Sequence, residues 1–372
     1  MPEVAYKLML DGNPPDPDLL ATIEQIEVED HADLADMLRL RVAVSVTEDG
    51  AGWTTLDDGP FARLAKLRVD ALIGSSNSEA LIEAHVVETS AELSNEPGKS
   101  FLNVVAMDPT VLMTLEEKVK PWPNMADSDI ASSIFGDHGF TPDVEATQPS
   151  RDEVKHTTIQ RGSDIQFLKQ LAKRNGYECF VELDPAGGAV NGHFHPPRVE
   201  ETSQGVLSVN LGEATNVNSF SARFDMLKPV AAQVTGLDID DQSDQPAQID
   251  SAALKDLGKE PAGSSDKPRK VLLTQTGLAQ SGELQTYAQA VVDRSSFAIT
   301  ADGELNTVAY GGVLRAKRPV LVRGAGRRFS GSYYVDRVLH TFTPQGYTQR
   351  FSLRRNGVGL TGQESFSEDQ AA

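Results

Sequence analysis

The 372-residue chain contains a single cysteine, Cys179. One thiol excludes an intrachain disulfide and a cysteine-based metal cluster. Its setting, Tyr177-Glu-Cys-Phe-Val181, predicts a small buried hydrophobe in a strand. No apolar run reaches about eighteen residues, so no membrane-spanning helix is expected. The opening Met-Pro-Glu-Val-Ala-Tyr lacks a basic stretch followed by an apolar core, so no secretory signal is expected and synthesis in a cytoplasm is inferred. Aromatic residues make up only 6%, which leaves packing to Val, Leu, Ile and Ala. Basic residues are scarce: 34 Lys and Arg face 54 Asp and Glu, for a formal charge of −20. Phosphate binding needs a cationic footprint, so nucleic acid is excluded as a partner. The acidity serves solubility, or an acidic surface matched to a basic partner. There is no His-Glu-x-x-His, no Gly-x-Ser-x-Gly elbow and no phosphate-binding Gly-Lys-Ser/Thr loop. Paired carboxylates such as Glu116-Glu117 and Asp240-Asp241 are too common here to mark an acid/base site.

What is present is alternation. In Leu38-Arg-Leu-Arg-Val-Ala-Val-Ser-Val46 the residues Leu38, Leu40, Val42, Val44 and Val46 share one face. Leu67, Val69, Ala71 and Ile73 repeat the pattern, as do Ile82, Ala84 and Val86, and Ile26 with Val28. A period of two marks strands with one buried face, and several in succession predict a small antiparallel barrel. After Met107 the pattern changes. A short helix is expected over Pro109 to Val119, ended by Pro121-Trp-Pro123, and a second one starts at Asp127 or Ser128 with Ile130, Ile134 and Phe135 inward. The strongest helix runs from a Ser163 cap to a Gly176 stop, with Ile165, Leu168, Leu171 and Ala172 as its stripe. A strand follows over Tyr177 to Leu183.

From Val206 the β pattern returns in Leu207 to Leu211, Ser219 to Phe224 and Val230 to Leu237. Asp238 to Pro246 and Pro261 to Pro268 read as exposed linker, and Leu284 to Ser296 as a helix. Strands resume near Glu304. Tyr333 to Phe342 and Tyr347 to Leu353 flank a Thr-Pro-Gln-Gly turn, which predicts a hairpin. Ile26 to His31 and Val335 to His340 form a faint internal echo, each a strand ending in His before a hairpin partner.

Three segments, the hairpin region 324–357, Arg161 to Phe180 and Val234-Thr-Gly-Leu-Asp238, resemble the phage tail hub family in order and spacing. That family includes late-control protein D and the hub half of VgrG spike proteins. The resemblance implies a mainly β fold with an α+β insertion: two tube-like antiparallel β-barrels plus a mixed α/β module. Boundaries follow at 1–108 for the first barrel, 109–205 for the module, 206–237 with 300–357 for a split second barrel, 238–299 for an acidic linker and helix insertion, and 358–372 for a flexible tail. It also implies a homotrimer whose six barrels face a hexameric inner tube or tube-initiator protein, with a trimeric spike below and other baseplate components around it. Nothing after Gly357 matches a fused spike, so the spike is expected to be a separate chain. The expected role is structural rather than enzymatic, in the baseplate of a contractile phage-tail-like particle. The alternative is a β-rich cell-wall-binding or hydrolytic tail protein.

Two groups of candidate site residues stand out. Arg315, Lys317, Arg318, Arg323, Arg327 and Arg328 form the only dense basic cluster. It is either a solvated strand edge or, as the functional expectation, an interface to acidic neighbours. His193-Phe-His195 places two imidazoles on one side of a strand, a weak metal pair that Asp184, Glu200 or Glu201 could complete. The adjoining Pro185 to Gly192 and Pro196-Pro197 favour an exposed loop, and no metal or cofactor is expected. Gly324 to Gly331 lacks the glycine spacing of a dinucleotide loop and precedes a strand, so it reads as a turn.

Overall fold

The computed structural model describes residues 4–57, 59–73, 77–148, 157–184, 188–237, 244–264, 267–274 and 281–366. The first barrel contains β1 (Val4–Leu10), α1 (Pro17–Ala21), β2 (Ile23–His31), β3 (Met37–Ala43), β4 (Lys66–Ile73), β5 (Asn77–Glu92) and β6 (Phe101–Met107). Its strands lie side by side in the order β1-β4-β5-β6-β3-β2, every pair antiparallel. The alternating residues meet inside: Leu38, Leu40, Val42, Leu67, Val69, Ala71, Ala84 and Val86 are all buried in one core. The strand predicted to reach Val46 ends at Ala43; Val46 is exposed and forms only an isolated bridge to Trp53.

The module follows, with β7 (Glu117–Trp122), α2 (Asp127–Asp137), β8 (Thr141–Val144), β9 (Thr158–Ser163), α3 (Asp164–Asn175), β10 (Glu178–Leu183) and β11 (Val190–His195). The helix expected over 109–119 is a 3-10 turn over Pro109–Thr114 that gives way to strand β7. Pro121 is tolerated there because β7 is half of a two-stranded ribbon with β9 and leaves its other edge free. α3 forms as its signals dictate, with a Ser163–Gln166 capping box and Gly176 left-handed at φ 73°.

The second barrel begins with β12 (Val206–Ser208) and β13 (Val217–Phe224). An insertion then holds β14 (Val230–Leu237), β15 (Asp244–Ile249), β16 (Glu260–Pro261), β17 (Arg269–Leu273) and α4 (Ser281–Ser296). The barrel resumes with β18 (Ile299–Leu305), α5 (Thr307–Tyr310), β19 (Pro319–Arg323), α6 (Gly326–Phe329), β20 (Gly331–Thr343) and β21 (Gly346–Arg355), and β22 (Gly357–Val358) pairs with β16. Two expectations change here. β14, assigned above to the barrel, instead centres a separate sheet, β15-β14-β17, covered by α4 through Leu284, Ala288 and Val292. The stretch expected as exposed linker, 238–268, includes strand β15 and the buried Leu257. Ala247 and Ile249 alternate in phase with the core, and Pro246 is allowed because β15 is an edge. Residues 238–243 and 265–266 of that stretch lie outside the described residues.

The two barrels repeat one topology. Counting strands one to six within each, both run 1-4-5-6-3-2; the second is β12-β19-β20-β21-β18-β13. The likeness extends to detail. A register shift falls at Val86/Glu88 on β5 and at Val335/Arg337 on β20. Just before strand four, Leu64 and Lys317 both take positive φ, 62° and 66°, and their N–H groups donate to Val86 and Val335. β12 pairs parallel to β19 where β1 pairs antiparallel to β4. The second barrel is closed by Asn216, whose side chain accepts from Ser208 N at 2.7 Å and donates to Val206 O at 2.8 Å.

The barrels share a continuous sheet, because β2 pairs antiparallel with β20 from Ile26↔Phe342 to His31↔Arg337. The echo strands are thus each other's partners. Beyond that seam Tyr6 of β1 meets Phe342 edge-on at 5.7 Å, which brings the first barrel's far edge round to the β20–β21 tip. Truncating a residue in the middle of this core, Leu40→Ala, is expected to cost about 2–5 kcal/mol in urea unfolding. Val46→Ser is expected to change stability by no more than about 0.5 kcal/mol.

Candidate functional site

The seam is held by charge as well as by strands. In β2 the inward positions read Ile26, Val28, Asp30, so a carboxylate falls in phase with the core and is buried there. The chain segment entering β19 delivers its counter-charges. Lys317 Nζ donates to Asp30 Oδ1 at 2.7 Å and to both Asp36 oxygens at 2.9 Å. Ala316 N donates to Asp30 Oδ2 at 3.0 Å, and Arg315 Nε lies 3.2 Å from the same atom. The Arg315 guanidinium also donates to the carbonyls of Ala80 and Leu81 on β5 and approaches Glu182 of β10. Arg318 donates to Glu182 at 3.0 Å. Asp36 in turn accepts from His31 N, and Asp36 N donates to Asp108 at the module's entrance. One cluster therefore joins both barrels and the module.

Burial and charge compete in it. Burial alone would lower Lys317, but Asp30 and Asp36 hold its ammonium well above the usual range. Burial would raise Asp30, but Lys317 and Arg315 hold it well below the carboxylate range. Asp36 goes the other way: burial outweighs Lys317, and with Asp30 and Asp108 nearby its carboxyl is pushed up to about 8. The seam therefore keeps a proton on Asp36 that an exposed aspartate would have lost.

A second cluster sits beside it. Glu178 of β10 accepts from Tyr334 Oη at 2.6 Å and from Arg354, which also reaches Asp336 at 3.0 Å. Arg355, fully buried, donates to the carbonyls of Leu257, Ser330 and Gly359 and so fastens the insertion to the second barrel.

The predicted basic cluster divides on this geometry. Arg315 and Lys317, expected at an interface, are 4% and 5% exposed and are internal cross-links. The physical reason is the in-phase Asp30, whose buried charge requires a cation. Arg318 is partly exposed on Glu182, and Arg323 donates to Ser208 Oγ at 2.7 Å. Arg327 and Arg328 are exposed on the α6 turn. Asp30, Asp36, Asp108, Glu178 and Glu182 were not singled out from the sequence; the in-phase position of Asp30 was the available signal.

The histidine pair is not on an exposed loop. His193 and His195 lie on β11, and His195 is buried. β8 runs parallel alongside, with Asp143 in register with His193. Asp143, His193 and His195 form the one cluster of potential metal ligands among the described residues. Of the carboxylates that could have completed the pair, Glu200 pairs with Lys255 and Glu201 with Arg198. Burial pushes the His193 imidazole down to about 4 and lowers His195 as well, so both rings are neutral. Cys179 is buried as expected, its thiol pushed up by burial to about 12.

This fold is similar to that of solved phage tail proteins. It is similar to a tail protein from Neisseria meningitidis (11% identity, TM-score 0.65, covering 95% of this chain and 96% of that one). It is also similar to the 43 kDa tail protein of a Shewanella oneidensis prophage (13%, 0.64, 94% and 98%). A chain of the Francisella PdpA–VgrG complex is similar too (11%, 0.58), and this protein spans 53% of it. No curated protein matches in sequence. The chain belongs to the family of the Alg8 N-terminal domain, whose model matches residues 67–344. That match begins in β4 and ends at the β20–β21 turn, so it takes in strands of both barrels.

Two outcomes follow from the seam. Lys317→Ala leaves buried Asp30 without its main partner and is expected to cost about 3–5 kcal/mol in chemical denaturation. The Asp36 carboxyl is higher in the folded chain than in the unfolded one, so folding retains a proton. Its contribution to stability is complete below the ordinary carboxylate range and declines as pH rises toward about 8. Asp36→Asn is expected to flatten that decline, measured as the urea midpoint across the same pH range.

Proposed function

We propose that this protein is the baseplate hub of a contractile phage-tail-like injection system, a trimeric adaptor between a hexameric inner tube and a trimeric spike. The observation that carries the reading is the repeated barrel together with the way its two copies join. Within the chain, strand two of the first barrel docks on the free edge of strand five of the second, over residues 337–342. The equivalent edges are both open. On β5, strand four reaches only as far as Val86, so among the described residues Glu88 to Glu92 pair with β6 alone, and Val87 to Glu92 are exposed. Among the described residues β13, strand two of the second barrel, pairs only with β18, and it is half exposed. Docking β13 of one copy on β5 of the next repeats the seam between chains, head to tail. A heterologous contact closes when its rotation closes; three copies then give six barrels. Charge also suits the step: Glu88 and Glu92 lie on one edge and Arg223 on the other, as Glu29 meets Arg337 at 2.9 Å in the internal seam. Pairing would hide two edges that are hazards when open.

The antiparallel β2–β20 pairing also sets both barrels the same way up. The large departures from the repeat, the module after β6 and the insertion after β13, leave at one and the same end. The opposite end carries the connections β1–β2, β3–β4 and β5–β6 and, in the second barrel, β18–β19 and β20–β21. That end suits six alike partners and the decorated end suits three.

Light scattering on assemblies of the chain with tube and spike partners is expected to give a mass that accounts for three copies of this chain, and hydrogen exchange should slow at residues 87–92 and 217–224 on assembly. A stable monomer in the presence of those partners overturns the reading.

A further inference from the structure

The module holds a cluster that neither the seam nor the trimer uses. Asp143 comes from edge strand β8, and His193 and His195 come from β11. His195 Nδ1 lies 2.8 Å from the Pro196 carbonyl, so its proton is fixed there and its Nε2 lone pair faces inward. That Nε2 lies 3.3 Å from His193 Nδ1, which is 3.0 Å from Asp143 Oδ2. The three atoms lie within 4.8 Å of one another. Ligands bound at about 2.0–2.1 Å in a tetrahedron are about 3.3 Å apart, so the separations of His193 from His195 and from Asp143 are close to those of a bound geometry.

The surroundings fix the rings. His193 stacks on Phe180 at 4.4 Å, and the two imidazoles stand at 89° to one another. Arg198 holds the other oxygen of Asp143 at 2.7 Å and leaves Oδ2 for the centre. Such outer partners are typical of ligating histidines and carboxylates. Arg198 adds positive charge nearby, and Glu201 at 3.7 Å offsets it. Without an ion, one His193 proton must serve two acceptors, Asp143 Oδ2 and His195 Nε2.

We propose that Asp143, His193 and His195 bind one divalent transition-metal ion of the zinc class, with a fourth position open on the exposed side of Asp143. Two nitrogens and one oxygen suit zinc or cobalt rather than calcium or magnesium. The ion would clip β8, a four-residue edge strand, to β11 and stiffen the module where it returns to the second barrel.

The test uses the untagged full chain stripped with chelator and titrated with cobalt(II), then zinc(II). One equivalent of cobalt per chain is expected, with the strong visible absorption of a low-coordinate site, displaced by zinc, and a thermal midpoint that rises with metal concentration. Asp143→Ala removes a partly exposed side chain and is the variant least apt to unfold. It is expected to weaken binding by at least about a hundredfold, beyond the loss typical of altering an outer partner. His195→Ala is expected to abolish the cobalt spectrum, while His138→Gln leaves it unchanged. Absence of saturable binding in the native chain, or an unchanged spectrum and affinity in folded Asp143→Ala, overturns the proposal.

Discussion

The structure depends on two aspartates, the ionised Asp30 and the protonated Asp36, meeting one ammonium, Lys317, in a space closed to water. Hydrophobic contact alone would hold the barrels together without fixing how they meet. A sheet seam can slip by two residues and still bury the same face. The charges remove that freedom. Lys317 must find Asp30 and Asp36 together, and Arg315 must reach the Ala80 and Leu81 carbonyls at the same time. Any slip leaves a buried charge unpaired, which costs far more than a lost apolar contact. The register of β2 on β20 is thus specified electrostatically, and the relative placement of the two barrels follows from it.

The same cluster explains why the module sits where it does. Glu182 and Glu178 on β10 face Arg315, Arg318, Arg354 and Tyr334 of the second barrel. Asp108, at the end of the first barrel, accepts from the Asp36 backbone. A chain of −20 formal charge would be expected to waste few cations. Here several of them are spent inward, as cross-links between parts that are distant in sequence, and the outside is left acidic.

That inward use of cations is also why the site was less legible than the fold. Strands of the first barrel, helix α3 and the β20–β21 hairpin were readable because alternation, capping and turn chemistry act within a few residues. Asp30 to Lys317 spans nearly the whole chain, and a run such as Arg315-Ala-Lys-Arg318 looks the same whether it faces water or a buried acid. β14 and β15 were misplaced for a related reason: Val230 to Leu237 has a strand's composition, but which sheet it joins is decided by α4 packing on it. The histidines were found by type, while Asp143 was missed because β8 carries it in from fifty residues away.

In the assembly proposed above, a repeated fold with unequal connections would answer a symmetry problem that identical barrels cannot. Were the β2–β3 and β13–β18 connections alike and the module after β6 missing, both ends of the six-barrel ring proposed above would look sixfold, and a threefold partner would have no basis for choosing a register. Residues 32–36 make the first connection, whereas the second spans 225–298 and holds a sheet and a helix. Because β2 and β20 run antiparallel, this inequality falls on the same side as the module. The strands, which must match their neighbours in register, stayed alike down to the bulge at strand five. The connections differ between the two barrels, and the largest differences fall at one end.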